Sequence, residues 1–112
     1  MRSDLFRSLA LALPAVEEKF HFGKADFRVH NKIFAGFTAE GLGYVKLTPD
    51  QQDMLCAAEP MVMMPIKDGW GRQGWTVVDQ SAGDEGVLRS VLGIAWQNVA
   101  PKGLIQSDQS TK

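Results

Sequence analysis

His21 and His30 are the only histidines in the chain and the side chains best suited to proton transfer or metal ligation, because an imidazole titrates near neutral pH. A metal centre would need further ligands beside them, and Glu18 and Asp26 are the carboxylates nearest in sequence. The stretch Val16 to Phe22 alternates as a strand, which puts Glu18 with Phe20 on the face opposite His21. Glu17 and Glu18 diverge for the same reason and make no acid–base pair. Glu18, facing inward, is expected to meet a buried cation or backbone amides near the strand that begins at Trp75. The single cysteine, Cys56, lies among Leu55, Ala57 and Ala58 and reads as a small buried hydrophobe. One cysteine excludes an intrachain disulfide or Cys-based zinc site and fits a reducing, cytoplasmic compartment. No catalytic constellation emerges, so the expected protein is non-enzymatic and has no cofactor or metal.

Two other patterns suit binding. Between Lys19 and Lys46 stand five Lys/Arg and two acids, Asp26 and Glu40, a local +3 within a chain of net charge −1. With Phe27, Val29, Phe20, Phe22, Val45 and Leu47 turned inward, Lys19, His21, Arg28, His30, Tyr44 and Lys46 share the outward face. Lys24, Lys32 and Arg72 flank it. Clustered cations neutralise phosphates, and aromatic rings beside them stack on bases. The second pattern is Gly69-Trp70-Gly71-Arg72-Gln73-Gly74-Trp75, a glycine-spaced aromatic loop that lets another molecule approach closely. It is not a phosphate-cradling P-loop, since no Lys-Ser/Thr follows at the required spacing.

These patterns assign Lys19, Arg28, Lys46 and Arg72 to phosphates and Tyr44 and Trp70 to stacking, with DNA or RNA as the partner. The alternative is a protein- or small-anion-binding module centred on Gly69–Trp75. Each pattern also has a plain structural reading. The basic stripe can be the solvated face of a one-sided sheet, and the loop a turn with Trp75 in the core and Trp70 as its lid. Met61, Met63 and Met64 read as core filling rather than a contact surface.

The elements that must position these residues follow from periodicity. Leu5, Phe6, Leu9 and Leu13 make one helical stripe over Ser3 to Leu13, stopped by Pro14; this reads as a packed helix rather than a leader peptide. Val16 to Phe22, Asp26 to His30, Lys32 to Phe37 and Leu42 to Leu47 read as strands, separated by turns at Gly23-Lys24, Asn31-Lys32 and Glu40-Gly41. Such short spacings force an antiparallel meander. Thr48-Pro49-Asp50-Gln51 is a capping box with proline at the first helical position. It opens a helix to Ala58 that is expected to bury Met54, Leu55 and Ala58. Met61 to Ile66 reads as an edge strand that tolerates Pro65, and Trp75 to Asp79 as a further strand. A last helix from Asp84-Glu85 to Val99 is expected to bury Val87, Leu88, Val91, Leu92, Ala95 and Val99. With 112 residues, 45% hydrophobic and 22% charged, the chain matches one ordinary domain, expected over 1–106 with a disordered tail at 107–112. No apolar run approaches the ~20 residues of a membrane span, and the expected state is a monomer or weak dimer.

Glu17-Glu18 leading to Phe20, Phe22-Gly23-Lys24, Phe27-Arg28-Val29 and Lys32-Ile33-Phe34-Ala35 resemble the front half of the MmcQ/YjbR family. Lys46-Leu47, Gly71-Arg72-Gln73-Gly74-Trp75 and Ala95-Trp96-Gln97-Asn98-Val99 resemble its back half. The similarity runs from Leu5 to Ala100. It implies a two-layer α+β domain similar to the CyaY (frataxin-like) fold, an antiparallel sheet with helices on one face. It also implies DNA binding through a double-wing arrangement, without an established enzyme activity. The iron-binding acidic ridge of frataxin-like proteins is not matched, because the first helix offers only Asp4, opposed by Arg2 and Arg7, and hard cations need several convergent oxygens.

Overall fold

Alternating apolar and polar residues in the first half of the chain build four consecutive antiparallel strands in the computed structural model, which describes residues 2–21 and 23–104. They are β1 (Val16–His21), β2 (Lys24–Val29), β3 (Lys32–Phe37) and β4 (Gly43–Lys46), preceded by α1 (Arg2–Leu11). There follow α2 (Pro49–Ala58), β5 (Met63–Pro65), α3 (Gly69–Arg72), β6 (Trp75–Val78) and α4 (Glu85–Val99). Among the described residues the strands form one six-stranded sheet in the order β1-β2-β3-β4-β6-β5. It departs from a plain meander at one place. α2 carries the chain away from β4, and the β5–β6 pair folds back so that β6 takes the free edge of β4. Pro65 thereby lies on an edge strand, where a missing N–H costs no ladder bond.

The core fills one face of this sheet. Phe27, Val29, Phe34, Ala35, Val45 and Val78 are fully buried against Phe6 and Ala10 of α1 and Leu88, Leu92 and Ala95 of α4. The ring of Phe6 meets Phe37 at a centroid distance of 5.4 Å. Trp96 joins the buried face of α4, and its indole Nε1 donates to the carbonyl of Pro14 at 3.0 Å, which fastens the α1–β1 connection. Val87 and Val99, expected in the core, are only partly buried at its margin. Among the described residues the opposite face of the sheet is covered by neither α1 nor α4. Its side chains at Lys19, Arg28, Tyr44, Lys46 and Trp75 are exposed or half-buried.

Several local expectations need correction. His30 is not a strand residue: with Asn31 it forms the β2–β3 turn at φ of 50° and 67°, the left-handed pair that suits a tight hairpin. Phe20 lies on the helix-side face of β1 yet is 70% exposed, because α1 reaches β1 at Glu18 and Phe20 lies beyond it. Glu18 does turn inward, but its partner is Arg7 of α1 at 2.6 Å, not the Trp75 strand. α2 begins with the capping box of Thr48 and Gln51, but Met54 is 61% exposed and Ala58 is exposed, while Gln52 is buried in their stead. Met63 alone of the three methionines fills the core; Met61 and Met64 are exposed. Gly69–Trp75 is not an open loop, since its first four residues wind into α3. Phe22 and the tail 107–112 lie outside the described residues, as does the side chain of His21. No helix among the described residues is long and apolar enough to cross a membrane.

Candidate functional site

Period-two alternation sorts the open face into cross-strand rows. One row runs Lys19, Asp26, Gly36, Tyr44, Val77 and Met64 across all six strands. Beside it stand Arg28 opposite Ile33 and Lys46 opposite Trp75. Position Gly36 makes room for the aromatic member of the first row. A Cβ there would lie 2.5 Å from the Tyr44 hydroxyl, so the tyrosine ring lies directly across the β3 backbone.

The Tyr44 ring also meets Trp75 at 5.6 Å and 71°, and Trp75 meets Trp70 of α3 at 6.2 Å and 70°. These edge-to-face arrangements match the quadrupole preference of aromatic pairs. The three rings, with Ile33 and Ile66, line a hollow of about 240 Å³. Trp70, at its rim, is 61% exposed. A broader cleft of about 580 Å³ shares the walls Ile33, Tyr44, Ile66 and Trp70 and is bordered by Lys24, Asp26 and Arg28.

The segment that presents Trp70 and Trp75 is held from beneath. The buried amide of Gln52 donates to the carbonyls of Gly71 and Trp75 and to the Thr76 hydroxyl at 3.0–3.1 Å. Gly74 has φ 104°, and a Cβ there would meet the Leu47 carbonyl oxygen at 1.8 Å.

The cations of the face are partly engaged. Arg28 donates from Nε and a terminal nitrogen to the two Asp26 oxygens at 2.7 and 3.2 Å, and these hydrogen bonds raise its pKa further. Lys46 donates to the Gln73 carbonyl and sits 5.3 Å from the centre of the Trp75 ring, a cation–π contact. Burial pushes the Tyr44 phenol above its usual range, and the Asp26 charge adds to the effect. Lys19 is exposed across from Asp26.

The fold thus brings Tyr44, Lys46 and Trp70 together, with Arg28 in the adjoining cleft and Lys19 at the β1 edge. Arg72 is exposed on α3 but does not line the hollow. His30 stands apart in its turn. Three members were not foreseen as site residues in the leading reading: Trp75, Ile33 and Ile66. In Trp75-Thr76-Val77-Val78 both alternate sets look apolar enough for the core; the fold buries Thr76 and Val78 and leaves Trp75, expected in the core on the plain structural reading, half-buried on the open face. Among the described residues no group of three or more His, Cys, Asp or Glu could hold a metal ion. Burial, then the nearby Asp53, pushes the half-buried Cys56 thiol up, which disfavours the nucleophilic thiolate.

None of the curated proteins compared matches the chain. A crystal structure of the Deinococcus radiodurans protein DR2400, with the family-model domain DUF419, is similar in fold at a TM-score of 0.72. The two share 22% identity over 89% of this chain and 79% of that one. The family model described as YjbR matches residues 11–98, most of the chain's length, and the chain therefore belongs to the YjbR family.

Proposed function

We propose that this protein is a non-enzymatic module that binds nucleic acid, DNA foremost, across the open face of its sheet. The observation that carries the reading is the contiguity of three rings, Tyr44, Trp70 and Trp75, with the ammonium of Lys46 seated on one of them. Lys24 and Arg28 border the cleft that adjoins them. Stacking platforms beside tracked cations are the common solution for binding strands. Lys19, Arg28 and Lys46 meet phosphates and Tyr44 and Trp70 meet bases; Arg72 serves at the margin. Asp26 holds Arg28 in a forked pair, which fixes the guanidinium's position while offsetting part of its charge. The same reading puts the protein in the cytoplasm, a compartment that suits the free thiol of Cys56.

The test is fluorescence anisotropy of a labelled oligonucleotide titrated over a range of salt. Release of condensed counterions makes the log–log slope about −0.7 to −0.9 per contacted phosphate, so Lys19, Arg28 and Lys46, with Lys24 at the cleft's border, give a slope of roughly −3 to −4. No binding at low salt, or binding indifferent to salt, overturns the reading. Indifference would favour the second reading, a protein ligand that inserts an apolar side chain into the hollow. The small-anion version lacks a cation in the hollow's lining, since Arg72 is not part of it.

A further inference from the structure

We infer that the hollow between Tyr44, Trp70 and Trp75 receives a single unstacked base, so that the face prefers an unpaired strand to a duplex and discriminates little among sequences. This rests on the nucleic-acid reading above and narrows it.

Size comes first. About 240 Å³ falls below the roughly 300–1,000 Å³ of sites that enclose a whole drug-sized ligand. It suits one ring system of a larger molecule whose remainder lies along the adjoining cleft of about 580 Å³. Shape agrees, since the walls are rings steeply inclined to one another, Trp75 at 71° to Tyr44 and 70° to Trp70. A flat guest can lie against the exposed Trp70 while its edge meets the others.

The chemistry of the lining limits what can be read. Ile33, Ile66 and three aromatic side chains offer only a phenol and two indole N–H groups as polar contacts. Reading a base needs donors and acceptors matched to its edge, whereas every base has a face to stack. Charge then selects the guest's carrier. Lys46 already occupies the Trp75 ring as a cation, and Lys24 and Arg28 border the adjoining cleft. A cationic ligand would be repelled there, and a strand with phosphates on either side of the inserted base is attracted. Duplex bases are not free to enter, since extruding one costs a few kcal/mol.

The experiment compares labelled oligothymidylate of roughly a dozen nucleotides, near the site size of single-strand binders, with its duplex and with oligocytidylate, at constant low salt. The unmodified protein is set beside Trp70→Ala and Trp70→Phe, with circular dichroism confirming each fold. The expected result is single strand bound at least about 10-fold more tightly than duplex, and the two homopolymers within a few-fold of each other. Trp70→Ala loses roughly 10-fold or more on single strand and little on duplex, and Trp70→Phe recovers most of the loss. Salt-dependent binding with duplex preferred or equal, or with Trp70→Ala unchanged, overturns the single-base hollow and leaves of the broader reading the phosphate contacts of the face's cations. Failure of both nucleic acids to bind removes both.

Discussion

Tyr44 is the residue that touches both halves of the open face. Its ring crosses Gly36, its edge abuts Trp75, and its phenol lies in the field of Asp26 and Arg28. Burial there favours the neutral phenol, so its folded pKa lies above the ordinary value of 10.0. A phenol harder to ionise in the fold than in the unfolded chain contributes stability that is complete below pH ~10 and is lost as pH climbs through the folded value. Because the chain has one tyrosine, tyrosinate absorbance reports on this group alone. The expected midpoint lies above pH ~10 in native protein and returns to ~10 in denaturant, with Tyr44→Phe abolishing the signal. A native midpoint at or below the denatured one would show the ring swung out into water. At this scale alternation was a dependable guide: it put Tyr44, Lys46, Arg28 and Lys19 on one face. What it lacked was the Asp26–Arg28 fork, in which two residues on the same side of one strand spend their charge on each other.

The short helix α3 was hidden for an energetic reason. Glycines at 69 and 71 disfavour helix by about 1 kcal/mol each relative to alanine, so local preference points to a loop. The winding is imposed from outside, by the Gln52 amide on the Gly71 carbonyl and by the close seating of Gly74 against Leu47. Gln52 itself was unforeseen, since a helix stripe is read from apolar residues and a buried amide breaks that rule. The α2 start, by contrast, was fully legible, because the Thr48–Gln51 box is satisfied within four residues.

Gly74 permits a direct measurement of that external support. Gly41 shares its kind of backbone, at φ 86° with open space around it, whereas Gly74 combines φ 104° with the Leu47 contact. Alanine at a left-handed position costs about 1–2 kcal/mol, and Gly41→Ala should cost that and no more. Gly74→Ala should cost on the order of 3 kcal/mol or above, since the β4–α2 backbone must also move. Urea denaturation followed by far-ultraviolet circular dichroism separates the two through their midpoints. Equal midpoints would mean that the Leu47 contact yields freely and fixes nothing.

Seen whole, the molecule is a sheet with one buried face and one open face, the latter the proposed working face. The sequence made the two layers and the antiparallel pairing legible, but not the strand order beyond β4. A hairpin that follows a helix can rejoin either edge of a sheet, and its choice of β4 rests on contacts among residues far apart in the chain. That choice matters, because it brings Trp75 beside Lys46 and thereby assembles the aromatic hollow. It also means that charge acts by location and not by sum. With a net charge of −1, the protein as a whole repels a polyanion weakly, and any attraction must come from the working face. Lys24→Gln and Arg89→Gln each lower the net charge from −1 to −2. Lys24 borders the cleft, while Arg89 lies on α4, which packs against the opposite face of the sheet, paired with Glu85. Lys24→Gln should weaken oligonucleotide binding and make its salt slope shallower by about one phosphate's worth. Arg89→Gln should leave both unchanged, because a charge beyond the Debye length of about 8–10 Å is screened from the bound strand. Equal losses in the two variants would mean that binding answers to total charge, and the working face would then have no special claim on the strand.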